Sequence, residues 1–302
     1  MPIVVNGTTL TDGKVGNTDI TQVYARNGET GTYILVFEKG GGGGTTMALF
    51  FGGNWKMNKL KADIDTFFST FLSSLELNPQ KKVVIFPPAC YLDYVKSKIP
   101  SSYSSMIEIG AQFTASEERG AYTGQISAAM AKDCGCTYAL VGHSECREYL
   151  GVTNSDCKQA IQLALSNNLK VLYCVGDDLT QHEAGQMETA INTQLEETLG
   201  SGLTAEDIKS NIIYAYEPVW AIGTGKTATP EDADAASNVI YSWIVGKIGN
   251  GGANEATILW AGTANQRNIN TWLAPQPIVG VLSSGISTSA NNFAEMVNTG
   301  TK

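Results

Sequence analysis

The stretch IIYAYEPVWAIGTGKTATPED (residues 212–232) contains, in order, an apolar run, a carboxylate and a loop with two glycines. The five-residue apolar run has the length of a buried β-strand, and Pro218 directly after Glu217 prevents its continuation. Gly223 and Gly225 then give the following loop conformational freedom. The stretch therefore predicts a strand that ends on a carboxylate and continues into a mobile loop.

The same unit of apolar run, loop and helical segment recurs along the chain. Including the first example, the runs lie at 48–53, 82–87, 106–111, 137–142, 169–175, 212–216, 256–261 and 278–283. Segments with helical spacing of apolar residues separate them. Continuous apolar strands joined by helical crossovers form parallel sheets that are covered on both faces. Eight such units within roughly 250 residues predict a (β/α)8 barrel.

A doubly wound open sheet is the main alternative fold. That fold would place a GxGxxG turn directly after its first strand, leading into a helix. The segment FFGGNWKMN (residues 50–58) does not have this spacing, so the barrel is the preferred prediction.

Polar residues that could take part in a reaction follow three of the eight runs. Asn54 and Lys56 follow the first, His143 and Glu145 the fourth, and Glu217 the sixth. Barrel enzymes carry their chemistry on the loops after the strands. A carboxylate can remove a proton beside a carbonyl, while an imidazole and an ammonium polarise the carbonyl oxygen. Each residue alone would be interpreted as an ordinary surface or packed polar group. The prediction of proton transfer beside a carbonyl rests on their occurrence together at one end of the barrel.

Small residues follow the last two runs. They read Gly262-Thr263-Ala264 and Ser284-Gly285-Ile286-Ser287. Loops of this composition can hold a phosphate through backbone N–H groups. We therefore expect a small phosphorylated substrate.

Composition excludes several other classes of protein. The 302 residues are 43% hydrophobic and 16% charged, which suits a large folded core, and the net charge of −9 argues against nucleic-acid binding. No apolar run is long enough to cross a bilayer, and the first residues do not resemble a signal peptide. With two histidines and no CxxC pair, a zinc site is not expected, and the six cysteines are interpreted as reduced and mostly buried.

The first 46 residues differ from the rest. Residues 1–39 contain short β-type runs separated by turn signals, and residues 40–46 include five consecutive glycines, which is typical of a linker. So few strands bury too little surface to be stable alone. An attachment or oligomerisation module is therefore predicted for 1–39, and a barrel for 47–302. A fusion of unrelated pieces is the other interpretation, because Met47 could begin a chain of its own.

Four motifs of the barrel region resemble the triosephosphate isomerase family. They are GGNWKMN (52–58), GAYTGQIS (120–127), YALVGHSECRE (138–148) and AYEPVWAIGTGKTATPE (215–231). The resemblance extends from residue 47 to about 300. It implies a TIM barrel that interconverts dihydroxyacetone phosphate and glyceraldehyde 3-phosphate without a cofactor. The segment VVNGTTLT (4–11) more weakly resembles β modules of tailed-bacteriophage virion proteins.

The family resemblance implies a role for each candidate residue. Glu217 would be the base, His143 would polarise the carbonyl, and Asn54 and Lys56 would contact substrate oxygens and balance charge. Glu145 would support Lys56. The implied phosphate-binding residues are Gly223, Gly262, Thr263, Ser284 and Gly285. The segment 218–226 would be a lid that closes over the phosphate and excludes water.

The sequence departs from the family pattern near the predicted site, and four of the substitutions bear on the prediction. Trp260 replaces a tyrosine whose hydroxyl helps to hold the closed lid, and Ser284 replaces a glycine, which predicts weaker phosphate binding. Cys146 replaces an arginine beside the His143 loop, and Asp177 replaces a glutamate. A barrel used only as a structural or binding domain, for example in a virion, is therefore the alternative function.

The resemblance also predicts the quaternary structure. In the family the loop at 113–125 enters a neighbouring subunit, so we expect at least a homodimer. A cytoplasmic protein is expected, or a virion protein if the N-terminal module is an attachment device.

Overall fold

A computed structural model describes residues 3–5, 8–10, 22–26, 33–38 and 48–302. The chain divides into two compact units, residues 1–47 and 48–302, and each is described by itself.

The first unit contains a small antiparallel sheet. Its strands are β1 (Ile3–Val5), β2 (Thr8–Leu10), β3 (Gln22–Arg26) and β4 (Tyr33–Glu38), in the order β2-β1-β3-β4. The β-type runs predicted from the sequence were 2–5, 19–25 and 32–38. Strand β2 was not among them, because TTL lacks a clear apolar alternation. The predicted glycine linker at 40–46 lies outside the described residues.

The second unit is a closed barrel of eight parallel strands. The strands are β5 (Leu49–Asn54), β6 (Lys81–Phe86), β7 (Ile107–Ala111), β8 (Tyr138–Val141), β9 (Lys170–Val175), β10 (Ile212–Tyr216), β11 (Thr257–Trp260) and β12 (Ile278–Ser283). Each begins and ends within one residue of its predicted run. The predicted (β/α)8 barrel is confirmed.

Helices connect the strands around the outside of the barrel. They are α1 (Lys61–Ser74), α2 (Leu92–Ser97), α3 (Ala128–Asp133), α4 (Ser144–Leu150), α5 (Asn154–Ser166), α6 (Leu179–Glu183), α7 (Met187–Leu199), α8 (Pro230–Ala253), α9 (Ile269–Leu273) and α10 (Ala290–Thr299). None of these helices in residues 48–302 is long and apolar enough to cross a membrane.

Two hydrophobic clusters fill the barrel unit. The larger joins strands to helices, and the smaller is built from alternate residues on seven of the eight strands. Strand β7 contributes Gly110 instead, because a Cβ there would lie 2.3 Å from the ring of Phe86. Alternation of this kind separates inward-facing from helix-facing side chains. The barrel interior is therefore a packed core, which leaves the strand ends for chemistry.

Candidate active site

A cavity of about 550 Å³ opens at the carboxyl ends of the barrel strands. Eight of the ten predicted site residues line it: Lys56, His143, Glu217, Gly223, Gly262, Thr263, Ser284 and Gly285. Asn54 and Glu145 lie beside it and contact Lys56. Residues separated by more than 200 positions in sequence thus meet because the barrel closes.

Glu217 follows β10 and is buried, with 4% of its surface exposed. Its Oε2 accepts a hydrogen bond from the backbone N–H of Ser144 at 2.9 Å, and its Oε1 accepts one from the Ser144 hydroxyl at 2.5 Å. A buried carboxylate needs such donors, because removal from water without them costs several kcal/mol. Ser144 therefore supplies a donor to each oxygen of the Glu217 carboxylate.

His143 is the N-cap residue of α4. Its Nδ1 accepts a hydrogen bond from the backbone N–H of Glu145 at 3.2 Å. This geometry assigns the ring proton to Nε2, which lies 3.4 Å from Oε1 of Glu217. The imidazole therefore presents an N–H donor to the cavity, directly beside the carboxylate.

Lys56 has a backbone conformation that is unusual for a residue with a side chain, with φ at +50°. The Oδ1 of Asn54 accepts from its backbone N–H at 3.0 Å, and Gln112 Nε2 donates to its carbonyl at 2.8 Å. Left-handed backbone costs on the order of 1–2 kcal/mol for such residues, and these two contacts compensate for it. The Lys56 ammonium then lies 2.6 Å from the carboxylate of Glu145.

The lid segment 218–226 begins at a buried anchor. Trp220 stacks on the ring of His182 with centroids 3.8 Å apart, and its indole N–H donates to the hydroxyl of Tyr216 at 3.2 Å. That hydroxyl in turn donates to Oδ1 of the fully buried Asp177 at 2.8 Å. Asp177, one of the departures from the family pattern, therefore supports the first turn of the predicted lid.

Beyond this anchor the lid becomes exposed. Gly223 and Gly225 have φ values of +71° and +78°, which favour glycine. Three residues after the predicted lid, Thr229 caps α8 in a reciprocal contact with Asp232. A flexible middle between two fixed ends is the arrangement expected of a hinged loop.

The loops after β10, β11 and β12 bring backbone donors to the cavity that are unused within residues 48–302. The backbone N–H groups of Gly223, Gly262, Thr263 and Gly285 donate to no acceptor among residues 48–302. Converging free N–H groups are the usual means of binding a phosphate without a basic side chain. The cavity thus combines a carboxylate–imidazole pair with loops whose backbone N–H groups could hold an anion.

Trp260, where the sequence departs from the family's tyrosine, lies at the end of β11 and is buried. It stacks on Trp272 of α9 with ring centroids 4.4 Å apart and planes 7° from parallel. Both indoles line the cavity. The ring of Trp260 also occupies the space where a Cβ of residue 262 would lie, 2.4 Å from its nearest atom.

Cys146 lines a second cavity of about 450 Å³. This cavity lies between the loop at 113–125 and α4, and Cys146, Val152 and Cys157 are among its lining residues. Burial raises the pKa of the Cys146 thiol, and raises the pKa of Cys157 to about 11. Both groups remain protonated thiols at neutral pH and are poor nucleophiles.

Three functional residues were missed by the sequence analysis. Ser144, Gln112 and Trp272 each touch a predicted residue across the barrel end. Ser144 offered a usable signal, because it follows His143 at the start of a predicted helix. Gln112 and Trp272 offered none, because their partners are distant in sequence.

Comparisons with known proteins agree with this geometry. The family profile described as "Triosephosphate isomerase" matches residues 49–300. The triosephosphate isomerase of Taenia solium is 37% identical over 253 residues, covering 84% of this chain and 98% of that protein. The corresponding protein of Chloroherpeton thalassium is 39% identical over 249 residues, covering 82% and 97% respectively. The profile match starts after the N-terminal unit.

Substitution by alanine should affect stability differently at Gly262 and Gly285, the two glycines of the predicted phosphate loops. Gly262→Ala would force a Cβ into the Trp260 ring, so we expect a loss of about 1–3 kcal/mol in the free energy of unfolding. Gly285→Ala is the matched control, because no atom lies within 4 Å of its Cβ position and its φ of −54° suits alanine. Denaturant unfolding of both variants measures the difference. Equal stability of the two variants would contradict the packing described here.

Proposed function

The chain belongs to the triosephosphate isomerase family, and from this premise we propose that Glu217 and His143 carry out its proton transfers. The protein is an isomerase that interconverts dihydroxyacetone phosphate and glyceraldehyde 3-phosphate.

The proximity of Glu217 and His143 is the observation that carries the proposal. Glu217 takes the proton from the carbon beside the substrate carbonyl, which leaves an enediolate. The Nε2–H of His143 and the ammonium of Lys56 stabilise the negative oxygen. His143 carries the hydroxyl proton to the former carbonyl oxygen through Nε2, while Glu217 returns the carbon-bound proton to the neighbouring carbon. Each proton that leaves one atom is thus accepted by another, and no external oxidant or reductant is needed. A carboxylate base with a neutral histidine is the pairing for which this family is a standard example.

Substrate binding has to release Glu217 from Ser144. In the described state both carboxylate oxygens accept hydrogen bonds from that residue. We infer that substrate takes over part of this role and that the carboxylate turns toward the carbon. Because Ser144 follows His143 directly, the same helix start positions the base and the imidazole.

The phosphate of the substrate binds at the loops after β10, β11 and β12. The N–H groups of Gly262, Thr263 and Gly285 supply donors, and Gly223 brings another from the lid. Lid closure then excludes water and prevents the enediolate from expelling its phosphate. Asn54 and Glu145 act through Lys56, by holding its backbone and its ammonium.

The alternative, a barrel that serves only as a structural domain, is not favoured. Such a domain has no need to keep a carboxylate buried beside an imidazole, which costs stability. It also has no need for free N–H groups in the same cavity as that pair.

Glu217→Asp tests the base directly. Shortening the side chain by one methylene misplaces the carboxylate, and we expect kcat to fall on the order of 100-fold. Exposed Glu188→Asp in α7 is the matched control and should leave kcat unchanged. A coupled assay with glyceraldehyde 3-phosphate measures both. Full activity of Glu217→Asp would refute the assignment.

We further propose that the barrel forms homodimers through the loop at 113–125. This loop has no helix or strand, and Tyr122 in it is 42% exposed. Other large apolar side chains are exposed at the same barrel end, among them Met57 at 95% in the loop after β5 and Tyr149 at 72% on α4. Exposed apolar groups clustered in this way are typical of a surface covered by a partner.

Light scattering of residues 48–302 at micromolar concentration should give the mass of a dimer. Tyr122→Asp should raise the dissociation constant at least about tenfold, because a charge replaces a buried aromatic contact. Met130→Asp is the control, since Met130 is 56% exposed on α3, outside these loops. A monomeric wild-type barrel would contradict the proposal.

Residues 1–39 are proposed as an attachment or oligomerisation module that does not influence catalysis. The edge strands β2 and β4 of its sheet leave backbone groups available for pairing. The full chain and residues 48–302 should therefore turn over substrate at equal rates per barrel, while the full chain forms the larger assembly. Equal assembly sizes by light scattering would refute this role.

A further inference from the structure

Two buried hydrogen-bond donors at the active-site cavity have no acceptor among residues 48–302. The Nε1 atoms of Trp260 and Trp272 are both buried and unpaired within the described part of the chain. The two residues are only 2% and 8% exposed. An unpaired buried N–H is costly, and native proteins rarely keep one without a reason. Two such groups, stacked on each other at the wall of one cavity, indicate that a hydrogen-bond acceptor approaches them in another conformation of the protein.

The lid carries acceptors that lack donors. The carbonyls of Pro218, Val219 and Trp220 already accept hydrogen bonds within the first turn of the lid. The next three carbonyls, of Ala221, Ile222 and Gly223, accept none from residues 48–302. These same three residues line the cavity together with both tryptophans.

We propose that Trp260 and Trp272 form an indole latch, whose two N–H groups donate to lid carbonyls at 221–223 when the lid closes. An indole can donate but cannot accept a hydrogen bond, so a carbonyl is the partner it requires. The two stacked indoles line the same cavity as residues 221–223 of the lid, so the donors and the carbonyls share one cavity wall. Ile222, which is 51% exposed in the described state, loses contact with water in the same movement.

The latch rests on the proposed function, because its role is to keep the lid closed while the enediolate exists. It also gives a reason for glycine at position 262, since any Cβ there would displace the Trp260 ring. Trp260 and Trp272 are thus positioning residues that act through the lid and do not contact the reacting atoms.

The variants Trp260→Phe and Trp272→Phe keep an aromatic ring in the stack and remove one N–H each. We expect each to lower kcat about threefold to tenfold, the effect of one hydrogen bond made only in the closed state. Inorganic phosphate released per turnover should rise, because a lid that opens early lets the intermediate expel its phosphate. The midpoint of thermal unfolding should stay unchanged or rise, because an unpaired donor has been removed from the open state. Trp243→Phe is the matched control, since that indole lies on α8 and donates to Glu196.

A measurement on the wild-type full chain removes any dependence on folding of the variants. The indole N–H resonances, labelled with ¹⁵N, should include two that move downfield on saturation with glycerol 3-phosphate, a phosphate ester that cannot isomerise. If those resonances do not move, or if both variants keep the wild-type kcat and phosphate release, the latch is refuted. An inactive wild-type protein whose two indole signals still shift would instead refute the proposed isomerase and retain the latch.

Discussion

A carboxylate that is buried beside an imidazole must have hydrogen-bond donors, and this requirement organises the active site. Glu217 receives both of its donors from Ser144, the first residue of α4. The residue before it, His143, caps that helix through Nδ1 and therefore presents Nε2–H to the cavity. One helix start thus fixes the position of the base and the tautomer of the imidazole. Any movement of α4 would disturb both groups together.

The barrel supplies this geometry because its closure joins distant strand ends. Lys56 is held in a left-handed conformation by a residue on its own strand and by Gln112 beyond β7. The free N–H groups for a phosphate come from the loops after β10, β11 and β12. The left-handed backbone at Lys56 and the unpaired donors of these loops lower the stability of the fold locally. The hydrophobic packing of the barrel below them offsets that cost. The strands therefore stabilise the fold, and the loops after them carry the residues of the site.

The sequence alone predicted the barrel well, because its strands are short continuous apolar runs between turn-rich loops. The chemistry-bearing residues were predictable for a related reason, since Glu217, His143 and Lys56 directly follow such runs. Contacts across the barrel end were not predictable. Loss of the tyrosine at position 260 was visible in the sequence, but the stack with Trp272 depends on where α9 packs. Strand β2 was also missed, because three residues carry too little periodicity to mark a strand.

The central claim is that Glu217 moves a proton between two carbons of the substrate, and hydrogen exchange with solvent tests it most directly. A base that picks up the substrate proton can exchange it with D2O before returning it. NMR of the triose phosphates in D2O should show deuterium at the carbon that accepts the proton when the wild-type protein is present. Glu217→Gln, which has the same shape and no base, should incorporate deuterium no faster than the protein-free control. Undiminished incorporation by this variant would show that another group is the base.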